Sequence, residues 1–198
     1  HRDLHRLIRR QRQMCIRDRC NSPMTLIDTV DQINDSQRLW FVDKILNYYG
    51  DKIVQKHVGI WGLAFKPETD DIRCAPSVDI IKKFLEKEVR ITVYDPVAMD
   101  NIKDLFGNKI DFASTSQAIL EKADFLVILT EWKEFLKYTA KDFYQLNDKV
   151  VFDGRNCFDP LVMYNNGIKY FTVGRNFVAN KNEILSDIQS ERIRTNQL

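Results

Sequence analysis

The sequence predicts an α/β protein in which a long helix precedes a doubly wound, mainly parallel sheet. Short apolar runs alternate with amphipathic segments between residues 58 and 172, and this alternation is typical of parallel strands joined by helical crossovers. The strand predicted at 124–129 contains an unbroken apolar run, as expected for a strand that helices cover on both faces. With 198 residues and 44% apolar content, the chain can bury the core of one such domain.

Composition argues against several other classes of protein. No stretch reaches the roughly 18 apolar residues of a membrane-spanning helix, so we expect no membrane partner and a cytoplasmic location. The four cysteines have no C-x-x-C spacing and no histidines that accompany them, which argues against a metal site and against a disulfide framework.

Residues 1–23 differ in composition from the rest of the chain. They contain seven arginines and no lysine, whereas the later sequence is rich in lysine. A basic arm of this kind can bind nucleic acid or acidic lipid, and the alternative is a non-native or disordered leader. We favour the leader and do not expect nucleic acid as a partner.

A long helix is predicted over residues 24–49. Apolar residues recur there at steps of three or four positions and cover one face, and Gly50 ends the pattern. The apolar stripe includes Trp40 and Phe41 and is larger than a surface helix needs. We therefore expect residues 24–50 to connect domains or to pair with a second copy in a homodimer; the alternative is an ordinary packed helix.

The remaining elements are predicted within residues 51–174. Strands are expected at 58–64, 90–94, 110–112, 124–129, 150–153 and 169–172, and helices at 77–87, 101–106, from 114 or 116 to 122, 131–137 and 140–146. Ser77 is expected to cap the first of these helices. Residues 175–198 form a polar tail without an assigned role.

The predicted ligand crevice lies at the carboxyl ends of the strands at 58–64 and 124–129. Right-handed crossovers place the reversal of strand order between these two strands, and open α/β sheets bind ligands at such a point. The loops at 65–76, 130–135 and 153–159 are expected to open on this edge.

The glycines after the first strand do not match the dinucleotide-binding fingerprint. Gly59 and Gly62 enclose Trp61, and Phe65 stands where a third glycine is needed, so bulky side chains block the backbone approach of a pyrophosphate. Asp95 ends the second strand, where it is either a ribose-binding acid or, in our preferred interpretation, a turn residue before proline.

Three basic residues on the predicted crevice edge are candidates for binding an anion. Lys66 follows the first strand and could contact a phosphate or a sugar hydroxyl, with an exposed loop lysine as the alternative. Arg155 follows the strand at 150–153, where its planar charged group could clamp a diphosphate. Arg73 lies in a charged turn with Asp71, in which it either pairs locally or reaches an anion across the cleft.

Four motifs, in this order and spacing, resemble those of the nucleotide-sugar dehydrogenases, the UDP-glucose/GDP-mannose dehydrogenase family. They are G-L-A-F-K-P-E-T-D-D-I-R-x-A-P-S at 62–77, V-Y-D-P at 93–96, L-T-E-W-K-E-F at 129–135 and F-D-G-R-N-x-x-D-P at 152–160. With I-N-D-x-Q-R at 33–38 they cover about residues 25–175. The T-D-D-I-R and T-E-W forms resemble the UDP-glucose branch more than the GDP-mannose or N-acetylated sugar branches.

The resemblance implies a Rossmann-like domain that binds the UDP moiety of UDP-glucose, preceded by a central helix used for dimerisation. It places Phe65, Lys66 and Arg155 at the nucleotide-sugar. It places Arg73 near NAD, which is bound mainly by an earlier domain that this sequence does not contain. The implied reaction is the two-step, NAD-dependent oxidation of UDP-glucose to UDP-glucuronate for polysaccharide biosynthesis.

No catalytic residue is assigned, because the nucleophilic cysteine of the family lies in a G-G-S-C motif that this sequence lacks. Cys74 stands where the family usually has Glu or another polar residue. We therefore expect the chain to be inactive by itself. The alternatives are a non-catalytic nucleotide-binding or dimerisation module and another nucleotide-sugar 6-dehydrogenase of the same family.

Overall fold

A computed structural model describes residues 25–174, which fall into two compact units that divide after Leu39. Helix α1, Thr25–Tyr49, provides all the described residues of the first unit. Three of its apolar side chains in that unit are about half exposed: Val30, Ile33 and Leu39. The bounds of α1 agree with the predicted helix to within one residue.

In the second unit, six parallel strands form one sheet in the order β3-β2-β1-β4-β5-β6. The strands are β1 His57–Trp61, β2 Arg90–Tyr94, β3 Asp111–Phe112, β4 Phe125–Ile128, β5 Val150–Asp153 and β6 Lys169–Thr172. The chain runs outward from β1 to β3 and then returns to the other side of β1 for β4. The predicted fold class is confirmed, and the strand order reverses between β1 and β4 as expected.

Helices connect the strands. The α-helices of the second unit after α1 are α2 Pro76–Glu86, α3 Met99–Phe106, α4 Ser116–Leu120 and α5 Pro160–Asn165, and 3-10 helices occupy Gly50–Gln55, Gly107–Lys109, Phe135–Lys137 and Asp142–Gln145. Strands β1, β4 and β5 are buried along their whole length. This burial is typical of central parallel strands that are covered on both faces.

The last ten residues of α1 belong to the second unit and pack against the sheet. The buried side chains of this segment are Phe41, Val42 and Ile45. Lys44 Nζ donates a 3.1 Å hydrogen bond to the Thr172 carbonyl at the end of β6, and the Tyr49 hydroxyl donates a 3.0 Å hydrogen bond to Asp148. Trp40, which was expected in the apolar stripe, is 46% exposed.

Two local predictions are wrong. Ser77 does not cap α2: Ala75 precedes this helix without a side-chain cap, and the Ser77 hydroxyl instead donates a 2.6 Å hydrogen bond to the Leu63 carbonyl. The helices predicted at 131–137 and 140–146 are reduced to 3-10 turns. The Ser77 difference arises from a tertiary contact, which helical periodicity does not report.

Helix α5 is an element that the periodicity analysis missed. Asp159 caps it, because its carboxylate accepts hydrogen bonds from the N–H groups of Leu161 and Val162, and Pro160 occupies the first helical position. The dipeptide Asp-Pro was the available signal. A helix of six residues is too short to display a helical period.

Among residues 25–174, no helix combines the length and the apolar character needed to cross a membrane. The same residues contain no group of three or more His, Cys, Asp or Glu side chains placed to hold a metal ion.

Candidate functional site

The carboxyl edge of the sheet brings the loops after β1 and β4 into direct contact. Gly62 has a φ of +86°, and a Cβ built on it would lie 2.6 Å from both the Cβ and the backbone nitrogen of Thr130. The Thr130 hydroxyl donates a 2.6 Å hydrogen bond to the Ala64 carbonyl. Glycine at position 62 is therefore required for the two loops to lie side by side where the strand order reverses.

Arg155 lies on the same edge, in the loop after β5, and joins the two neighbouring loops. Its Nε donates to the Leu129 carbonyl at 2.7 Å, and its Nη2 donates to the Phe65 carbonyl at 3.4 Å. The same Nε lies 3.2 Å from Oε2 of Glu131, and the Arg155 side chain is 31% exposed. The guanidinium is thus held between the loops after β1 and β4 and still reaches solvent.

Asp153, the last residue of β5, fixes the loop that carries Arg155. Its Oδ1 accepts a hydrogen bond from the Arg155 backbone N–H at 2.7 Å. Its Oδ2 accepts from the Cys157 N–H and from the Tyr170 hydroxyl, at 2.8 and 2.5 Å. Burial raises the pKa of the Asp153 carboxyl, although these donors act in the opposite direction. Burial and the neighbouring Asp153 charge also raise the pKa of the Cys157 thiol, which stays protonated at neutral pH.

Phe65 and Lys66 lie in the loop after β1, and both residues are half-buried. The Phe65 N–H donates a 2.8 Å hydrogen bond to the Asp71 carbonyl, which closes this loop on itself. The Lys66 ammonium lies 5.9 Å from the centroid of the Phe65 ring. The structure therefore brings together three of the predicted site residues, because Phe65 contacts both Lys66 and Arg155.

Arg73 forms an ion pair within its own turn. Its Nε and Nη2 donate to the two carboxylate oxygens of Asp71, each at 2.9 Å. Hydrogen bonding between the two side chains raises the pKa of Arg73 and lowers the pKa of Asp71. The Arg73 side chain is 68% exposed. These contacts favour local pairing, and a role of Arg73 near a cofactor stays a prediction.

Asp95 is 1% exposed, and its carboxylate accepts five hydrogen bonds. The donors, at 2.7 to 3.1 Å, are the backbone N–H groups of Leu63, Ala64, Val97 and Ala98 and the indole N–H of Trp132. Because these donors occupy the accepting positions of both carboxylate oxygens, the carboxylate is not available for a ribose hydroxyl. The hydrogen bonds to the N–H groups of Val97 and Ala98 confirm the interpretation of Asp95 as a turn residue. The contacts with the loops after β1 and β4 were missed, since a strand-ending aspartate before proline signals only the local turn.

The glycine and tryptophan of β1 serve packing. A Cβ on Gly59 would lie 2.2 Å from Cγ2 of Ile119, so α4 packs directly on β1. Trp61 is fully buried and donates a 3.1 Å hydrogen bond to the Ser116 carbonyl. With Asp95 also occupied, the described residues do not fit NAD bound in the usual manner of a dinucleotide-binding sheet.

The sequence matches the UDP binding domain of the UDP-glucose/GDP-mannose dehydrogenase family over residues 59–160, which is more than half of the chain. The matched region contains the three loops that build the crevice. The chain belongs to this family.

Two curated relatives from Bacillus subtilis (strain 168) are similar to most of this chain. UDP-glucose 6-dehydrogenase YwqF is 32% identical over 155 residues, which are 78% of this chain and 35% of the relative. UDP-glucose 6-dehydrogenase TuaD is 34% identical over 154 residues, which are 77% of this chain and 33% of the relative. The chain thus spans about a third of the length of the curated relatives that it matches.

Solved structures are similar over the same part of the chain. A UDP-glucose dehydrogenase from the hyperthermophilic archaeon Pyrobaculum islandicum is 28% identical with a TM-score of 0.62, over 72% of this chain and 31% of that protein. An NDP-N-acetyl-D-galactosaminuronic acid dehydrogenase from Methanosarcina mazei Go1 is 21% identical with a TM-score of 0.65, over 78% of this chain and 33% of that protein. The second likeness supports the fold alone.

Proposed function

We propose that this chain is the part of an NAD-dependent UDP-glucose 6-dehydrogenase that binds the UDP moiety of UDP-glucose. The observation that carries the proposal is the position of Arg155, whose guanidinium joins the loops after β1 and β4 where the strand order reverses. Open α/β sheets bind their ligands at this point. The intact enzyme would oxidise UDP-glucose to UDP-glucuronate in two steps, and this chain alone would bind the nucleotide without turnover.

The side chains at this point suit a nucleoside diphosphate. The guanidinium of Arg155 is planar and permanently charged, which matches the geometry of phosphate oxygens. The carbonyls of Leu129 and Phe65 fix it before a ligand arrives, so less side-chain entropy is lost on binding. Lys66 adds a second positive charge beside the Phe65 ring. The pair with Glu131 is partly exposed, so a diphosphate can displace this carboxylate at little cost.

The NAD cofactor would be held mainly by another part of the full-length protein. The Asp95 carboxylate accepts hydrogen bonds from the protein itself, and Gly59 packs closely against Ile119. The described residues therefore offer no dinucleotide site of the usual kind. We assign Arg73 to the neighbourhood of NAD. Its pair with Asp71 lies at the surface, where such pairs are weak and open readily to a stronger anion.

We also propose that the intact protein forms a homodimer through helix α1. The exposed apolar side chains Val30 and Ile33 lie three positions apart on one face of this helix in the first unit, and they favour pairing with the same helix of a second copy. Sedimentation analysis of the full chain over a concentration series tests this assembly. A monomer at every concentration would contradict it.

Calorimetric titration of UDP into the full chain tests the proposed ligand. Arg155→Ala removes a charge-assisted contact of about 1.5–3 kcal/mol, so UDP should bind roughly ten- to a hundredfold more weakly. Arg90→Ala is the matched control, because its side chain is 70% exposed and pairs with Asp111 at the opposite, amino edge of the sheet.

Saturable binding that persists in Arg90→Ala and weakens in Arg155→Ala would support the proposal. Lys66→Ala should cause a loss in the same direction, and a titration with UDP-glucose measures what the sugar adds. Equal affinity in all variants would remove Arg155 from the site. A folded wild type that binds no UDP would contradict the proposed function of this chain.

A further inference from the structure

We propose that Asp95 is a positioning residue of the nucleotide site, whose carboxylate holds the loops after β1 and β4 in the arrangement that binds UDP. The inference rests on the proposed function, because it names a residue that acts on the same site through these loops and not by touching the ligand. Asp95 directly follows β2, the neighbour of β1, and it is buried.

One carboxylate oxygen joins the two crevice loops. Oδ2 of Asp95 accepts hydrogen bonds from the N–H groups of Leu63 and Ala64, at 2.7 and 3.1 Å. It also accepts from the indole N–H of Trp132 at 3.0 Å. Ala64 directly precedes Phe65, so this oxygen fixes the backbone at the entrance to the candidate binding residues. Trp132 belongs to the loop after β4, which the same oxygen holds from the other side.

The other oxygen turns the chain into the next helix. Oδ1 of Asp95 accepts from the N–H groups of Val97 and Ala98, at 2.9 and 2.8 Å, just before α3. All five donors to the carboxylate are N–H groups, and none of them can accept a hydrogen bond. Both carboxylate oxygens accept from these donors, whereas the nitrogen of a side-chain amide cannot accept, so a neutral amide cannot replace this carboxylate.

The two loops that Asp95 holds are the loops that hold Arg155. The carbonyl of Phe65 belongs to the loop after β1, and the carbonyl of Leu129 stands at the start of the loop after β4. If either loop moves, the guanidinium loses one of its two fixed points. A displacement on the order of 1 Å is enough to remove most of the benefit of a preorganised site.

Asp95→Asn is the variant that tests this role. It keeps the size of the side chain, but its amide nitrogen must face at least one set of N–H donors, so those hydrogen bonds are lost. Asp124→Asn is the matched control at the amino edge of the sheet. The Asp124 carboxylate also ties two segments together, because it accepts from the His57 N–H and from the Asn147 amide, both at 2.8 Å.

Two measurements are made on the full chain of each variant, at a temperature at which denaturation curves show it to be folded. In Asp95→Asn, NMR-detected hydrogen exchange should become about tenfold or more faster at the Leu63 and Ala64 amides and at the Trp132 indole. Calorimetry should show UDP bound about tenfold or more weakly. Asp124→Asn should speed exchange at His57 and keep the UDP affinity within about twofold of the wild type.

A UDP affinity of folded Asp95→Asn within about twofold of the wild type would overturn the inference. An equal loss of affinity in both variants would also overturn it, because such a loss reports general damage to the fold. If the wild type itself binds no UDP, the proposed function fails separately. Faster exchange in both loops of Asp95→Asn would then still support Asp95 as the residue that positions them, and unchanged exchange would refute it.

Discussion

Replacing Gly62 by alanine should destabilise the fold at the point where the crevice loops meet. Gly62 has a φ of +86°, and the left-handed region costs a residue with a Cβ about 1–2 kcal/mol. The added Cβ would also lie 2.6 Å from the Cβ and from the backbone nitrogen of Thr130, and 2.9 Å from its Cα. Because backbone atoms are involved, rotation of a side chain cannot relieve the overlap. Overpacking of this kind costs a further 1–3 kcal/mol or so, which gives a total loss of about 2–5 kcal/mol.

Gly167→Ala is the matched control for this prediction. Gly167 also has a positive φ, +72°, but a Cβ built on it meets no atom within 4 Å. This variant should therefore lose only the conformational part, about 1–2 kcal/mol. The difference between the two variants isolates the overlap with Thr130.

The assay is urea denaturation of the full chain followed by fluorescence, with the unfolding free energies compared by linear extrapolation. Gly62→Ala should unfold at a clearly lower urea concentration than Gly167→Ala, with a similar slope. If the two variants lose the same free energy, the close approach of the loops after β1 and β4 does not exist in solution. The arrangement that holds Arg155 would then need another explanation.

Two further predictions concern stability. Burial lowers the pKa of His57 below its usual 6.5, so the unfolded chain binds this proton more readily and the unfolding free energy should fall as the pH drops through that value. Urea denaturation at about pH 7.5 and about pH 6 measures this fall in the unfolding free energy. His57→Gln should lose less unfolding free energy between these two pH values than the wild type. An equal loss in the variant would contradict the prediction. Glu88 follows α2 with a φ of +56°, and its N–H bonds to the Leu85 carbonyl in a helix-ending turn that favours glycine. Glu88→Gly should therefore stabilise the chain by about 0.5–1 kcal/mol in the same assay, and a loss of stability would argue against the left-handed geometry.

Local sequence patterns were sufficient to predict the strands of most of the sheet. Strands β2, β5 and β6 begin and end at the predicted residues, because each is a short apolar or β-branched run between turn residues. The reversal of strand order between β1 and β4 followed from the handedness of the crossovers. Helix α5 escaped prediction, since its six residues are too few to display a period. The turn at Asp142–Gln145 is shorter than the helix that was predicted at 140–146.

The sequence by itself determined which residues reach the crevice edge. Phe65, Lys66 and Arg155 follow β1 and β5, and the carboxyl ends of parallel strands lie at one edge of a sheet. Only the tertiary structure decided what holds these residues in place. Arg155 bonds to carbonyls 26 and 90 positions earlier in the chain, and Asp95 gathers donors that lie 31, 32 and 37 positions away. Hydrogen bonds over such separations depend on how the loops pack against one another, so they leave no periodic or local signal in the sequence.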